Sequence, residues 1–334
     1  MNVQEKNYRS VVNRLGVAML VLFGGIAVYQ AAATEILPWV LSFLPAVTAS
    51  IVGELVLALL YSAAFLVPVF LFYGISRGKP HASFDAAPHL PRGTLLYVLA
   101  ALAAVGVAAY LNTAIVNLFE QISVFENKAA ESVASAPRAG YQLVLAFITT
   151  AIVPAFVEEA LFRGVVLKNL LPYGRTTAVF VSALLFGMMH QNAAQFFYAT
   201  VAGVVIGYIF VYVRSIWVCV LIHFCNNAFS VLIGILHERM SLEQAVLAET
   251  IAYFALILLG TVAAFFLLRL QRDREADLLQ NGCFERDVAP DAEYAAIPLP
   301  MARRVRLLFT PPMVIFFALC AVQILYMLGM AVLF

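Results

Sequence analysis

The sequence predicts an all-α fold, a polytopic bundle of about eight to nine transmembrane helices with its N-terminus cytoplasmic. Three observations lead there. Of 334 residues, 63% are hydrophobic and only 12% charged, with a mean hydropathy of +0.93. Soluble domains run near 45–50% apolar and about 25% charged. Apolar runs long enough to cross a bilayer, about 20 residues each, recur along the whole chain. Lysine and arginine are also partitioned between alternate loops, as the positive-inside rule requires. A net charge of +1, with one small basic group at Arg303-Arg304-Arg306, gives no reason to expect nucleic acid as a partner. No Gly-rich phosphate loop is present, which argues against an ATP-driven pump.

Taken in order, the candidate spans are residues 15–34, 52–75, 94–119, 141–161, 176–190, 194–213, 216–236, 250–270 and 312–334. The first follows Lys6, Arg9 and Arg14 and, with no small-residue cleavage site after it, reads as uncleaved. The fifth is short. With the N-terminus inside, seventeen of the twenty basic residues fall on the inner side, and only Lys128, Arg138 and Arg239 fall outside. Residues 120–138 read as a short external amphipathic helix. Residues 271–309, punctuated by Pro290, Pro298 and Pro300, read as a cytoplasmic linker before one last span. The implied division is an N-terminal transmembrane hairpin (1–90), a core (91–270), and a linker with a C-terminal helix (271–334). Cys219, Cys225, Cys283 and Cys320 show neither metal-ligand nor disulfide spacing and read as buried apolar groups.

Charge inside a membrane span is the exception that points to chemistry, because an ionisable group at the bilayer centre costs roughly 2.5–3.5 kcal/mol to insert. Glu158-Glu159-Ala160-Leu161-Phe162-Arg163 places three such groups together. On a helix, Glu159 and Arg163 share a face in the better ion-pair order. Glu158 lies about 100° round the helix, so Arg163 neutralises Glu159 and leaves Glu158 available. A second motif, Phe186-Gly187-Met188-Met189-His190, follows the Pro172-Tyr173-Gly174 break. Glu158 lies 15 residues before Tyr173 and His190 lies 17 after it, so a hairpin there sets them level. The third motif is His223-Phe224-Cys225-Asn226-Asn227, in which His223 and Asn227 share a face. Pro154, four residues before Glu158, should kink the fourth helix and free backbone groups near the site.

A glutamate, two histidines and an asparagine in one buried pocket suit attack by water on a carbonyl. The carboxylate can take the proton. One histidine can hold the water and pass a proton to the leaving amine, while the other and Asn227 donate to the oxyanion. The same groups could instead bind Zn²⁺ through Glu158, His190 and His223. Singly, each motif has a plainer reading: a structural ion pair, a histidine at the headgroups, an asparagine joining helices. Asn226 rivals Asn227 but is not four from His223. His81, His89 and His237 read as solvated, and Asn112 and Asn117 as packing groups.

EExxxR, FxxxH and HxxxN on three successive polar-marked helices resemble the CPBP intramembrane proteases. That family includes type II CAAX prenyl endopeptidases, lysostaphin-resistance-A-like (Abi) proteins and bacteriocin-immunity proteins. The resemblance covers roughly residues 90–270. It implies Glu158 as general base, His190 positioning the water, His223 and Asn227 as the oxyanion site, and Glu159–Arg163 as support. It fits a mechanism without metal, with zinc as the alternative. The expected substrate is a membrane-embedded or lipidated peptide or protein in the bilayer of a bacterial cell. A non-catalytic scaffold or immunity protein of the same fold is the alternative function. A proton-coupled transporter is less favoured, since the chain lacks the internal symmetry expected of one.

Overall fold

The computed structural model describes residues 1–76, 90–121, 140–281 and 299–333. The expectations for His81, His89, Cys283 and nearly all of 120–138 fall outside them. All regular structure among the described residues is helical, as apolar chain in lipid requires, since a helix satisfies its own backbone groups. We number the helices α1 (Val3–Ala31), α2 (Ala46–Ile75), α3 (Thr94–Gln121), α4 (Gly140–Tyr173), α5 (Arg175–Met189), α6 (Ala193–Val213), α7 (Ile216–Arg239), α8 (Leu242–Asn281), α9 (Met301–Leu308) and α10 (Pro311–Leu333).

Seven of these are long and apolar enough to cross a membrane, and α9 with α10 makes an eighth if that bent pair is one span. The fifth predicted span, α5, is a helix of 15 residues. Within the expected linker over 271–309, α8 runs on to Asn281 and residues 301–308 form α9, bent by 75° from α10. Its eight residues mix three arginines with five apolar groups, which allows a helix with one side on the protein while its composition still reads as a polar connection.

Helix α1 starts on a reciprocal cap: the Asn2 side chain accepts from the Glu5 N–H at 2.8 Å, and Glu5 accepts from the Asn2 N–H at 3.1 Å. It packs along α2 and α10, while α3 packs along α8 and α5 along α6. Helix α7 touches α3, α4, α6 and α8 and so stands in the middle. The α5–α6 seam is close because Gly203 faces the Ala183 backbone, where a Cβ would approach Ala183 Cα to 2.9 Å. Small residues at helix crossings are how membrane helices gain contact without a hydrophobic driving force. Outside the core, Leu59, Phe70, Leu95, Phe254 and Leu258 are exposed, a surface suited to lipid tails.

Helix α4 is not a uniform α-helix. Two π-helical stretches, Phe147–Ile152 and Ala160–Leu167, flank the α-helical segment Val153–Glu159. Such wide turns recur at functional sites because they rotate side chains out of the ordinary 100° register. Glu158 and Glu159 close the segment between them.

Candidate active site

The three motifs meet. Glu158 and Glu159 from α4 and His223 from α7 are all buried, with Arg163 only 1% exposed beside them. Glu159 Oε1 accepts from Arg163 Nη1 at 2.9 Å and faces His223 Nδ1 at 2.8 Å. A carboxylate accepts, so Nδ1 carries the proton and the Nε2 edge of His223 turns toward Glu158 Oε2, 3.9 Å away. The predicted pairing of Glu159 with Arg163 is therefore present, but Glu159 is shared: it also fixes the orientation of His223. Arg163 continues to the Gly203 carbonyl at 3.4 Å, so the cation ties α4 to the close α5–α6 seam.

Glu158 is less free than its sequence position suggests. Tyr61, on α2, donates its hydroxyl to Glu158 Oε1 through a short hydrogen bond. Oε2 is buried and takes no hydrogen bond among the described residues. Together with Phe186, His190, Asn226 and Asn227, Glu158 and His223 line a cavity of about 80 Å³, room for two or three water molecules at roughly 30 Å³ each. Apart from Tyr198 the remaining wall is aliphatic, with Val105, Ala199 and Ala202 among its residues.

His190 closes the last turn of α5. Its Nδ1 meets the Phe186 carbonyl at 2.9 Å; a carbonyl only accepts, so Nδ1 donates and Nε2 is left for the cavity. Phe186 explains the first letter of its motif. Its ring lies under the Arg163 guanidinium (4.9 Å) and edge-on to His190 (5.3 Å) and His223 (5.9 Å). A column of rings, Tyr61–Phe65–Phe162–Phe186, joins α2 through α4 to α5.

Asn227 and Asn226 act as a unit. The Asn227 amide donates to the Thr150 carbonyl at 3.1 Å. Pro154, four residues further on, has no N–H to give that carbonyl, so the expected freeing of a backbone group supplies the acceptor that holds Asn227. Asn227 Oδ1 accepts from Asn226 at 3.2 Å, and Asn226 Oδ1 accepts from the Tyr198 hydroxyl at 2.7 Å. Asn226 is thus part of the site rather than a mere rival of Asn227. Tyr61 and Tyr198 were invisible to motif reading: each is one aromatic in an apolar run, and neither stands at helical spacing from the residue it serves.

Among the described residues no three His, Cys, Asp or Glu side chains are gathered to hold a metal ion, and the atoms of Glu158, His223 and His190 left open toward the cavity are Oε2, Nε2 and Nε2. His237 is exposed, as expected, and meets Glu249 at 2.8 Å outside the cavity. Cys219, Cys225 and Cys320 are free thiols.

Residues 140–229 match the family model of the Rce1-like proteins, the type II CAAX prenyl endopeptidases. This is the stretch that holds all three motifs. The chain is also 28% identical over 103 residues to "Putative membrane peptidase YdiL" of Bacillus subtilis (strain 168), a match covering 30% of this chain and 41% of that relative. No solved structure matches. With its apolar helices and this family match, the chain is an integral membrane protein.

Proposed function

We propose that the protein is an intramembrane endopeptidase that hydrolyses a peptide bond of a membrane-associated substrate with water activated by Glu158. The observation that carries this reading is the division of Glu158. Tyr61 occupies Oε1, and Oε2 borders a water-sized cavity beside His223, His190 and the two asparagines. Oε2 takes a proton from water as the water oxygen attacks the scissile carbonyl carbon. The C–N bond then breaks, and the proton passes to the leaving amine. A general base of this kind typically contributes about 10²–10⁴-fold.

The placement of His223 supports the same reading. Its Nε2 lies 3.9 Å from Glu158 Oε2 on the wall of the same cavity; when that nitrogen carries a proton, His223 donates to the oxyanion beside the Asn227 amide. The second Asn227 N–H is available, because only one is needed by Thr150. His190 Nε2 holds the attacking water. No step requires a metal ion.

The substrate class is a membrane-embedded or lipidated peptide, which the burial of the site in helices of the membrane favours. The test is cleavage of a pool of membrane-derived and lipidated peptides by the purified protein, wild type against Glu158→Gln, with and without a strong chelator. Cleavage is expected to vanish in Glu158→Gln and to persist under chelation. Loss on chelation with recovery on adding zinc would overturn the metal-free mechanism. A cellular phenotype surviving Glu158→Gln would instead favour a scaffold.

A further inference from the structure

Helix α9 lies at the end of the molecule that carries the N-terminus, and nothing in the hydrolytic site uses it. It is bent by 75° from the apolar helix α10, so if α10 crosses the bilayer, α9 lies close to the membrane plane. Its two sides differ. Leu308 is buried, and Arg303 reaches Glu5 of α1 through Nε at 2.6 Å and Nη2 at 3.3 Å. Met301, Val305 and Phe309, spaced four apart, are 60%, 42% and 59% exposed. Val314 and Ile315, at the start of α10, are exposed as well.

The charge on this helix is one-signed. Among the described residues Glu5 is the carboxylate that pairs with this helix, through Arg303, and the first half of α1 adds exposed Lys6 and Arg9 and half-buried Arg14. Arg306 is exposed and makes no hydrogen bond or ion pair among the described residues. Arg303 and Arg306 line a cavity of about 510 Å³ between α9 and the start of α1, with Asn2, Glu5, Leu299, Pro300 and Ala302 as its other walls. An apolar stripe flanked by arginines on a helix in the membrane plane is the arrangement of an interfacial segment that binds anionic lipid.

We propose that α9 is an anionic-phospholipid docking surface. Met301, Val305 and Phe309 enter the acyl boundary, and Arg306, with the unpaired edge of Arg303, holds the headgroup phosphate in the cavity against α1. The inference does not rest on the peptidase reading. Arg304 gives it a structural consequence. Its guanidinium covers Gly174, where an added Cβ would stand 1.5 Å from Nη1. Gly174, at φ +144°, is the turn between α4 and α5, so lipid on α9 braces the turn that sets Glu158 against His190.

The test is titration of the purified full-length protein in neutral detergent with dioctanoyl phosphatidylglycerol, dioctanoyl phosphatidylcholine and inorganic phosphate, read by thermophoresis and by the thermal midpoint. Phosphatidylglycerol is expected to bind at least tenfold tighter than phosphatidylcholine and to raise the midpoint, with phosphate inert. Arg306→Gln, which removes no internal contact, is expected to weaken phosphatidylglycerol binding about fivefold, the share of one basic group at an anionic surface. Equal binding of both lipids, an unchanged affinity in Arg306→Gln, or an equal response to phosphate would each overturn the proposal.

Discussion

Tyr61 holds one oxygen of Glu158 and leaves the other to the cavity, so a single hydroxyl decides which lone pairs meet water. Its ring is fixed independently, against Phe65 at 4.9 Å and Tyr29 at 5.4 Å. Tyr61→Phe therefore keeps the packing and removes only the bond. If Tyr61 positions the base, kcat on a cleaved peptide falls about ten- to a hundredfold, the worth of a hydrogen bond to a charged group. KM stays unchanged, and the thermal midpoint falls only as far as one lost buried hydrogen bond requires. A lower midpoint with intact kcat would make Tyr61 a packing residue. Glu158, Glu159, Arg163, His190, His223 and Asn227 could be picked out as candidates from sequence because charged and polar groups are rare in membrane helices and these stand at helical spacing within short motifs. Tyr61 lies 97 residues from Glu158, and a tyrosine in an apolar run carries no such signal.

At the scale of elements, α4 shows where counting residues stops working. A rise of about 1.5 Å per residue and a turn of 100° assume a uniform α-helix, and two π stretches break that assumption on either side of Glu158. Glu158 and His190 nevertheless reach one cavity, because the Pro172–Gly174 break that ends α4 is strongly marked in sequence. Pro154 links the distortion to function through the Thr150 carbonyl, which it cannot occupy and which Asn227 does. Restoring the N–H should let the helix reclaim that carbonyl. Pro154→Ala is thus expected to lower peptide cleavage about tenfold, comparable to losing one oriented donor, while leaving helix content by circular dichroism unchanged. Unchanged cleavage would show that Asn227 holds its position without Thr150. Helix α9 escaped sequence reading for a different reason: eight amphipathic residues are too short for a span and too charged to stand out from a linker.

For the molecule as a whole, the question is whether the helices outside the family match are accessories. Residues 140–229 hold the three motifs, yet Tyr61 comes from α2, α2 packs on α1, and α1 packs on α10. The contact between α1 and α10 is close at Gly16, where a Cβ would come within 2.7 Å of the Met313 backbone nitrogen and 2.9 Å of Pro312 Cβ. Backbone cannot yield as a flexible side chain can, so Gly16→Val must push α10 away from α1. Overpacking of this kind costs about 1–3 kcal/mol. Gly24, on the same helix, has nothing within 4 Å of its would-be Cβ and serves as the control. Gly16→Val is expected to lower the thermal midpoint in detergent and Gly24→Val to leave it unchanged. If cleavage falls with the midpoint in Gly16→Val, the outer helices hold Tyr61, and through it Glu158, in working position. If the midpoint falls and cleavage at a permissive temperature does not, the catalytic centre is carried by α4, α5 and α7, with α1 and α10 acting only as their support.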